Sequence, residues 1–531
     1  METKFENFGV MLDCSRNAVR TVESVKNFID ILSKMGYNML QLYTEDTFEI
    51  NNEKHFGYKR GRYSISELKE LNAYAKSKNI ELVPCIQTLA HLNQMFRWEK
   101  YSDINDCNDI LLCDNPKTYE LIEKMFITAR ECFSSNLINI GMDEAHMVGL
   151  GKYLREHGYQ DRYSIILKHL IKVNEIAKKY NFKPMMWSDM FFRLGNDGKY
   201  YTEKFIKFSD DVINQVPSNL SLIYWDYYHI EDNVYDYMMK SHKQFNNDIW
   251  FAGGAWIWGT FASHNKFSIK TIKSSLKMAL KNDIRNVFIT MWGDNGSECS
   301  YYSVLPSLYY ASCIAKGITS TKEIKDGFKD MFGIDFDKFL YLDLPDDLHD
   351  DYKDVDTPSK YILYSDLFMG FLDNILETKD IDLYKSYSKK LSLLEKNEPY
   401  GYIFASEKAL CDVLYLKGKL GINTRKYYKE NDKENLSKLI NSYTLLVKKL
   451  EIFLEKFRTL WYKENKPHGF DVQEIRIGGL IQRVKSCKNR LNDFVNGKID
   501  KIEELEEEII DLESTTKRYR VYGKIASPNI L

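Results

Sequence analysis

The chain lacks several features that would place it in whole classes of protein. Its nine cysteines (14, 85, 107, 113, 132, 299, 313, 411 and 487) are odd in number, scattered, and never form a C-x-x-C pair. That excludes a zinc ribbon and argues against a disulfide framework. No His or Cys cluster has ligand spacing, so neither a metal nor any other cofactor is expected. The formal net charge is only −2, which gives nucleic acid or an anionic membrane no electrostatic reason to bind. No apolar run reaches the ~20 residues of a membrane span. Met1-Glu-Thr-Lys-Phe-Glu-Asn-Phe8 lacks the basic start and apolar core of a signal peptide. Reduced thiols in a cytoplasmic, soluble protein fit these absences best.

With 531 residues, 44% of them hydrophobic and 28% charged, the chain is long enough for two or three globular domains. Up to about residue 320, short apolar runs alternate with amphipathic segments. Strands are expected at Phe8–Leu12, Asn38–Tyr43, Glu81–Gln87, Leu137–Met142, Lys183–Trp187, Leu220–Trp225, Ile249–Gly253 and Asn286–Trp292. Helices are expected at Val22–Lys34, Ser64–Ser77, Pro116–Phe133, Asp161–Tyr180, Thr202–Phe208, Val234–Lys243, Ile269–Lys281 and Leu305–Ala315. Eight strand-then-helix units predict an α/β fold, a closed (β/α)₈ TIM barrel over residues 1–320.

Beyond that point Leu, Lys and Glu dominate. Leu436, Leu439, Ile440, Tyr443, Leu446, Val447, Leu450, Phe453, Leu454 and Phe457 recur at three- and four-residue spacing, the mark of one buried helical face. Similar patterns occupy about 359–376, 381–396, 402–420, 472–496 and 499–519. An all-α helical domain over 359–531 is expected, joined to the barrel by a linker at 321–358. The acidic run Glu503–Glu508 reads most simply as a solvated helix face.

The polar residues gather where the strands end. Asp13 and Arg16 follow the first strand, Glu45 and Asp46 the second, and His91 the third. Asp143 and Glu144 close the fourth, Trp187-Ser188-Asp189 the fifth, and Tyr224-Trp225-Asp226 the sixth. Trp256 and Trp258 follow the seventh, and Trp292-Gly293-Asp294 ends the eighth. Barrel enzymes keep their chemistry on this C-terminal face. Carboxylates that grip hydroxyls and indoles that stack on sugar faces describe a carbohydrate pocket. The 14% aromatic content agrees with that, although a composition rich in Lys, Asn, Ile and Tyr is the simpler explanation of the count.

Asn139-Ile-Gly-Met-Asp-Glu144 resembles the catalytic strand of glycoside hydrolase family 20, the β-N-acetylhexosaminidases, usually His-Ile/Val-Gly-Gly-Asp-Glu. Val10-Met-Leu-Asp-Cys-Ser-Arg16, Leu40-Gln-Leu-Tyr-Thr-Glu-Asp46 and Pro84-Cys-Ile-Gln-Thr-Leu-Ala-His91 resemble its first three strand ends, and Tyr224-Trp-Asp226 and Trp292-Gly-Asp294 its late Tyr-x-Asp and Trp-x-Glu elements. Gly-Met-Asp-Glu-Ala-His, with no α/β domain ahead of the barrel, is similar to a single-barrel branch of the family. Met142 stands where a second Gly is usual, Asn139 where His is, and Asp294 where Glu is commoner.

The resemblance implies an exo-acting enzyme on terminal GlcNAc or GalNAc that retains configuration. The substrate's own 2-acetamido oxygen attacks, a recognised exception to the two-carboxylate rule. It implies Glu144 as general acid/base, Asp143 as acetamido partner and Tyr224 as donor to the acetamido oxygen. Arg16 would hold O3 and O4, and Asp294 O4 or O6, with Trp187, Trp256 and Trp292 as wall. Asp226 belongs to the matched substrate-binding set. His91 would tune Glu144, or serve as a satisfied structural histidine. Adjacent strand residues point to opposite sides, so the two acids should not face each other. A buried Glu144 beside a like charge should hold its proton near neutrality.

A chitinase-like reading needs Asp-x-Asp-x-Glu, and Met142 occupies the middle acid's place. An O-GlcNAcase-like reading needs adjacent aspartates. The rival from another class is a non-catalytic carbohydrate-binding barrel with a helical interaction domain. Segment 461–479 mixes Trp, His, Arg and Gly; a connector is the simplest reading, ahead of a cover for the barrel mouth or a subunit contact. The partner expected is a small carbohydrate, and a homodimer stays open.

Overall fold

The computed structural model describes residues 2–529 apart from 197, 203, 349–354, 377 and 511–520. Eight parallel strands close a barrel in chain order: β1 (Asn7–Asp13), β2 (Met39–Thr44), β3 (Glu81–Ile86), β4 (Leu137–Asn139), β5 (Lys183–Trp187), β6 (Ser221–Trp225), β7 (Asp248–Gly254) and β8 (Asn286–Met291), which returns to β1. The strands read as almost continuous apolar runs because both faces are covered, one by the lumen and one by helices.

The helices follow the same logic. Val22–Met35 buries Val25, Phe28, Ile29, Leu32 and Met35, a three-and-four spacing that turns one stripe onto the sheet. Ile65–Ser77 starts at a capping box in which the Ser64 hydroxyl accepts from the Glu67 amide and the Glu67 carboxylate accepts from the Ser64 amide.

Two expectations are corrected in this half. Thr202–Phe208 is not helical among its described residues; the helices after β5 are Asp189–Gly195 and Asp210–Gln215. The Ile206 amide donates to Ser241 Oγ and the Phe208 amide to Gln244 Oε1, so side chains of a neighbouring helix and its end replace the helical ladder. β4 ends at Asn139, three residues early, because Gly141 and Met142 adopt φ of +72° and +71°.

After the barrel the chain is helical. Residues 321–346 form Thr321–Phe332, Phe336–Phe339 and the 3₁₀ turn Leu340–Asp346, whose Asp343 and Asp346 are buried against Ser263, Asn265 and Thr260 of the loop after β7. Three long helices follow, Gly401–Lys429, Lys433–Glu464 and Phe470–Val495. The 359–376 pattern yields only Pro358–Tyr364 and a short 3₁₀ turn, and the 499–519 pattern only Glu503–Glu506, with 511–519 outside the described residues.

The helical region packs on the barrel's loops. Phe261, after β7, meets Phe453 and Phe457 with ring centroids 5.7 Å apart in each case. Lys360 is fully buried against Glu298, at 2.7 Å. Segment 461–479 does connect two helices, and it also lies on the barrel: the Lys466 amide donates to Val19 O at 2.7 Å and Asn17 Nδ2 to Gly469 O at 3.0 Å.

Candidate active site

The turn after β4 carries the two acids. Gly141 has no Cβ for a reason, since one would lie 2.0 Å from Gln87 Oε1. With Met142 and Glu144 also at positive φ (71° and 50°), strand alternation is broken, and Asp143 and Glu144 line the same pocket. The expectation that they point apart fails because they are no longer on a strand. Non-glycine residues in this region of φ/ψ space cost energy and persist where the surroundings hold them.

Asp143 is surrounded. Gln87 Nε2 donates to its Oδ1 at 3.0 Å, and His91 Nε2 lies 3.2 Å from its Oδ2. Burial favours its neutral form, but His91 and Gln87 outweigh this and hold the carboxyl below its usual range. Burial likewise opposes a charged His91, and the Asp143 carboxylate overrides it, raising the imidazole to about 9. His91 is 3.9 Å from Glu144, so it is an imidazolium between two acids.

Glu144 differs from expectation, with 43% of its side chain exposed. Its backbone amide donates to Asp189 Oδ2 at 3.1 Å. Asp189 is completely buried, and burial together with Asp143 raises it to about 7.

Across the pocket, Arg16 is the hub of β1, β2 and β8. Its Nε donates to Glu45 at 2.8 Å, its Nη1 to Asp294, and its Nη2 to Tyr43 OH at 3.2 Å, with the guanidinium 4.9 Å from the Trp292 ring centre. Asp13 secures the loops, accepting from the amides of Ser15, Arg16 and Gly293. Removing one partner from such a buried charge network typically costs about 3–5 kcal/mol.

The remaining wall is aromatic. Trp187, Trp225, Tyr227, Tyr228, Trp258 and Trp292 line a pocket of ≈ 90 Å³ with Arg16, His91, Asp143, Glu144 and Asp294. Seven of the ten residues singled out from sequence thus meet here: Arg16, His91, Asp143, Glu144, Trp187, Trp292 and Asp294.

Tyr224, Asp226 and Trp256 do not line the pocket. Tyr224 sits on the helix side of β6, its ring 5.0 Å from His242 and 5.4 Å from Phe251, and its hydroxyl donates to Asp226. Asp226 also accepts from the amides of Tyr228 and His229, stapling the loop. Trp256 is buried beneath Trp258, stacked at 3.8 Å, with its indole N–H on Tyr227 O. Alternation along β6 gives the lumen to Trp225, and Tyr227 lies two residues further on.

Asp189, Trp225 and Trp258 were noted at strand ends but given no individual role, and neither Gln87 nor Tyr227 was assigned one. Parity along β6 was the available signal for Trp225 and Tyr227. Burial raises the Tyr227 phenol well above its usual range, and the Asp143 charge adds to this, so Tyr227 keeps its proton and can serve as a hydrogen-bond donor at ordinary pH. Among the described residues, no group of three or more His, Cys, Asp or Glu is arranged to hold a metal ion. No helix among the described residues is long and apolar enough to cross a membrane.

Two sequence profiles match the chain. The glycosyl hydrolase family 20 catalytic domain covers residues 5–247, and the glycoside hydrolase 20C C-terminal domain covers 336–522. Hexosaminidase D from Homo sapiens is 24% identical over 234 residues, 42% of this chain and 46% of the human protein. Hexosaminidase D from Bos taurus is 21% identical over 261 residues, 47% of this chain and 70% of the bovine protein. The match thus spans about half the length of the human relative. A GH20 exo-β-N-acetylglucosaminidase from Vibrio harveyi, solved with N-acetylglucosamine, aligns at 14% identity with a TM-score of 0.47, covering 63% of this chain and 59% of that one. With the first six barrel strands and most of the helical region matched by two models of the same family, the chain belongs to glycoside hydrolase family 20.

Proposed function

We propose that the protein is an exo-β-N-acetylhexosaminidase, releasing terminal GlcNAc or GalNAc with retention by substrate-assisted catalysis. The observation that carries this reading is the convergence of Asp143 and Glu144 on one aromatic pocket, with Asp143 locked as an anion by Gln87 and His91. An acid pinned on both oxygens is a poor nucleophile and a good fixed charge.

In this reading Asp143 accepts from the acetamido N–H, and Tyr227 donates to the acetamido carbonyl in the role first given to Tyr224. The carbonyl oxygen then attacks C1 as the C1–O glycosidic bond breaks, and Glu144 gives its proton to the departing oxygen. Water next adds to C1 of the oxazolinium, Glu144 takes the water's proton, and the C1–oxygen bond to the acetamido group breaks. Two inversions give net retention. The partial exposure of Glu144 suits a residue that meets both leaving group and water. Arg16 and Asp294 bind O3, O4 and O6, while Trp187, Trp225, Trp258 and Trp292 surround the ring and N-acetyl methyl.

Nine free cysteines, eight of them buried, support a reducing, cytoplasmic working place. The reading is tested with nitrophenyl β-glycosides. N-acetylglucosaminide and N-acetylgalactosaminide should be hydrolysed, and the 2-hydroxy glucoside slower by at least ~10³-fold, since the attacking atom is missing. Equal rates on both, or no hydrolysis of any, would overturn it; the second result favours the non-catalytic binding barrel.

A further inference from the structure

Glu144 is gripped by its backbone and left loose at its carboxyl. β4 and β5 keep their ladder beyond Asn139, the Ile140 amide donating to Met185 O at 2.9 Å and the Trp187 amide to Gly141 O at 3.2 Å. The left-handed turn at Gly141 and Met142 breaks that ladder before Glu144, which itself has a φ of +50°. An amide outside the ladder needs another acceptor. Asp189, two residues past the end of β5, supplies one: the Glu144 amide donates to its Oδ2 at 3.1 Å. Among the described residues the Glu144 carboxylate accepts no hydrogen bond, and its ion-pair partner His91 stands off at 3.9 Å. The aim of this acid is therefore set from its main chain.

Asp189 is a fixed point beneath it. The side chain is completely buried and does not line the pocket. Its Oδ2 also meets Arg193 Nε, one helical turn on, at 3.4 Å, while its Oδ1 has no partner among the described residues. Burial, with the Asp143 charge behind it, raises the carboxyl to about 7. Below that pH the group is neutral: Oδ1, which meets no donor, takes the proton, and Oδ2 stays free to accept. A rigid partner under a loose acid matters, because roughly 1 Å of misplacement costs about 10²-fold in rate.

We propose that Asp189 is a positioning residue: by holding the Glu144 amide, it sets where the acid/base carboxyl stands relative to the departing oxygen. The inference rests on the hexosaminidase reading for the role of Glu144. Asp189 touches no substrate in that reading, so its loss should show most where protonation of the leaving group limits the rate.

The experiment compares kcat/KM for Asp189→Leu, Asp189→Ala and Asp189→Asn, in the full chain, on an alkyl and a nitrophenyl N-acetylglucosaminide. The first two remove the acceptor, and the third keeps it in the form of the neutral acid. Asp189→Leu also fills the space, and losing an acid that burial disfavours spares the fold. Asp189→Leu and Asp189→Ala should lose about 30- to 100-fold on the alkyl glycoside and less than about threefold on the nitrophenyl one. Asp189→Asn should recover most of the loss. Equal losses on both glycosides would mark a merely structural residue and overturn the proposal. So would no loss on either, or an Asp189→Asn enzyme as poor as Asp189→Leu. If neither acceptor-free variant folds, hydrogen exchange at the Glu144 amide of the wild type decides: protection of about tenfold or more supports the proposal, and exchange at the free-amide rate sinks it. A wild type that hydrolyses neither glycoside would defeat the hexosaminidase reading instead, and the same exchange measurement then judges the grip of Asp189 on its own.

Discussion

Gln87 Nε2 donates to Asp143 Oδ1 at 3.0 Å while Gln87 Oε1 accepts from the Met142 amide at 3.3 Å, so one side chain after β3 fixes both the charge and the backbone turn after β4. Gln87 Nε2 also reaches Tyr43 OH at 3.1 Å, tying the acid to the strand that supports Arg16. Gln87→Ala should lower kcat about ten- to hundredfold, the worth of one hydrogen bond to a charged group. Steady-state kinetics check this, and an unchanged kcat would remove Gln87 from the account.

His91 gives the fold a pH dependence of known sign. Its pKa is raised from 6.5 to about 9 by Asp143, so its stabilisation is complete below 6.5 and is lost as pH rises through about 9. Asp143 is lowered, so its share is present above 3.8 and is lost on acidification. Relative to His91→Ala, the wild type should lose on the order of 1–3 kcal/mol between pH 6 and 9.5. Urea denaturation at both pH values measures it; equal differences would contradict the pairing.

Asp189 works in the opposite direction. Its buried carboxyl is raised to about 7, so the native state keeps a proton that the unfolded chain has already released. The wild type should therefore lose stability relative to Asp189→Asn as pH climbs from 4 to 8, by on the order of 2 kcal/mol. Asn can still accept from the Glu144 amide, so activity should change less than stability. Denaturation at pH 5 and 8 with a parallel assay separates the two effects.

The helical region also holds the β8 loop. Asn295, Gly296 and Ser297 all have positive φ, and the first two carbonyls are held from outside the barrel. Arg476 and Lys360 donate to Asn295 O, and Gln473 to Gly296 O. Asp294, one residue earlier, meets Arg16. Gln473→Ala should raise KM about two- to tenfold, the worth of one neutral hydrogen bond, with kcat nearly unchanged. A fall in kcat at constant KM would place the residue elsewhere.

The barrel was legible because buried parallel strands read as apolar runs, and all eight were located within one residue at the start and three at the end. Leu137–Asn139 ended earliest, because Gly141 and Met142 turn left-handed and no local pattern announces that at a methionine. The same turn brought Asp143 and Glu144 to one side, against strand alternation. Tyr224 was chosen by its place in a motif, whereas counting parity from β6 points to Trp225 and Tyr227. The exposure of Glu144 depends on loops from several strand ends, contacts far apart in the chain. The described residues of Thr202–Phe208 are not helical, and Ser241 and Gln244 satisfy the Ile206 and Phe208 amides from another element.

The division of labour between the two acids is tested most directly by comparing Glu144→Gln with Asp143→Asn on two N-acetylglucosaminides, one with a nitrophenyl leaving group and one with an alkyl. Glu144→Gln should lose about 10²–10⁴-fold on the alkyl glycoside and far less on the nitrophenyl one, which needs little protonation. Asp143→Asn should lose heavily on both. Equal losses for both variants on both substrates would contradict the assigned roles.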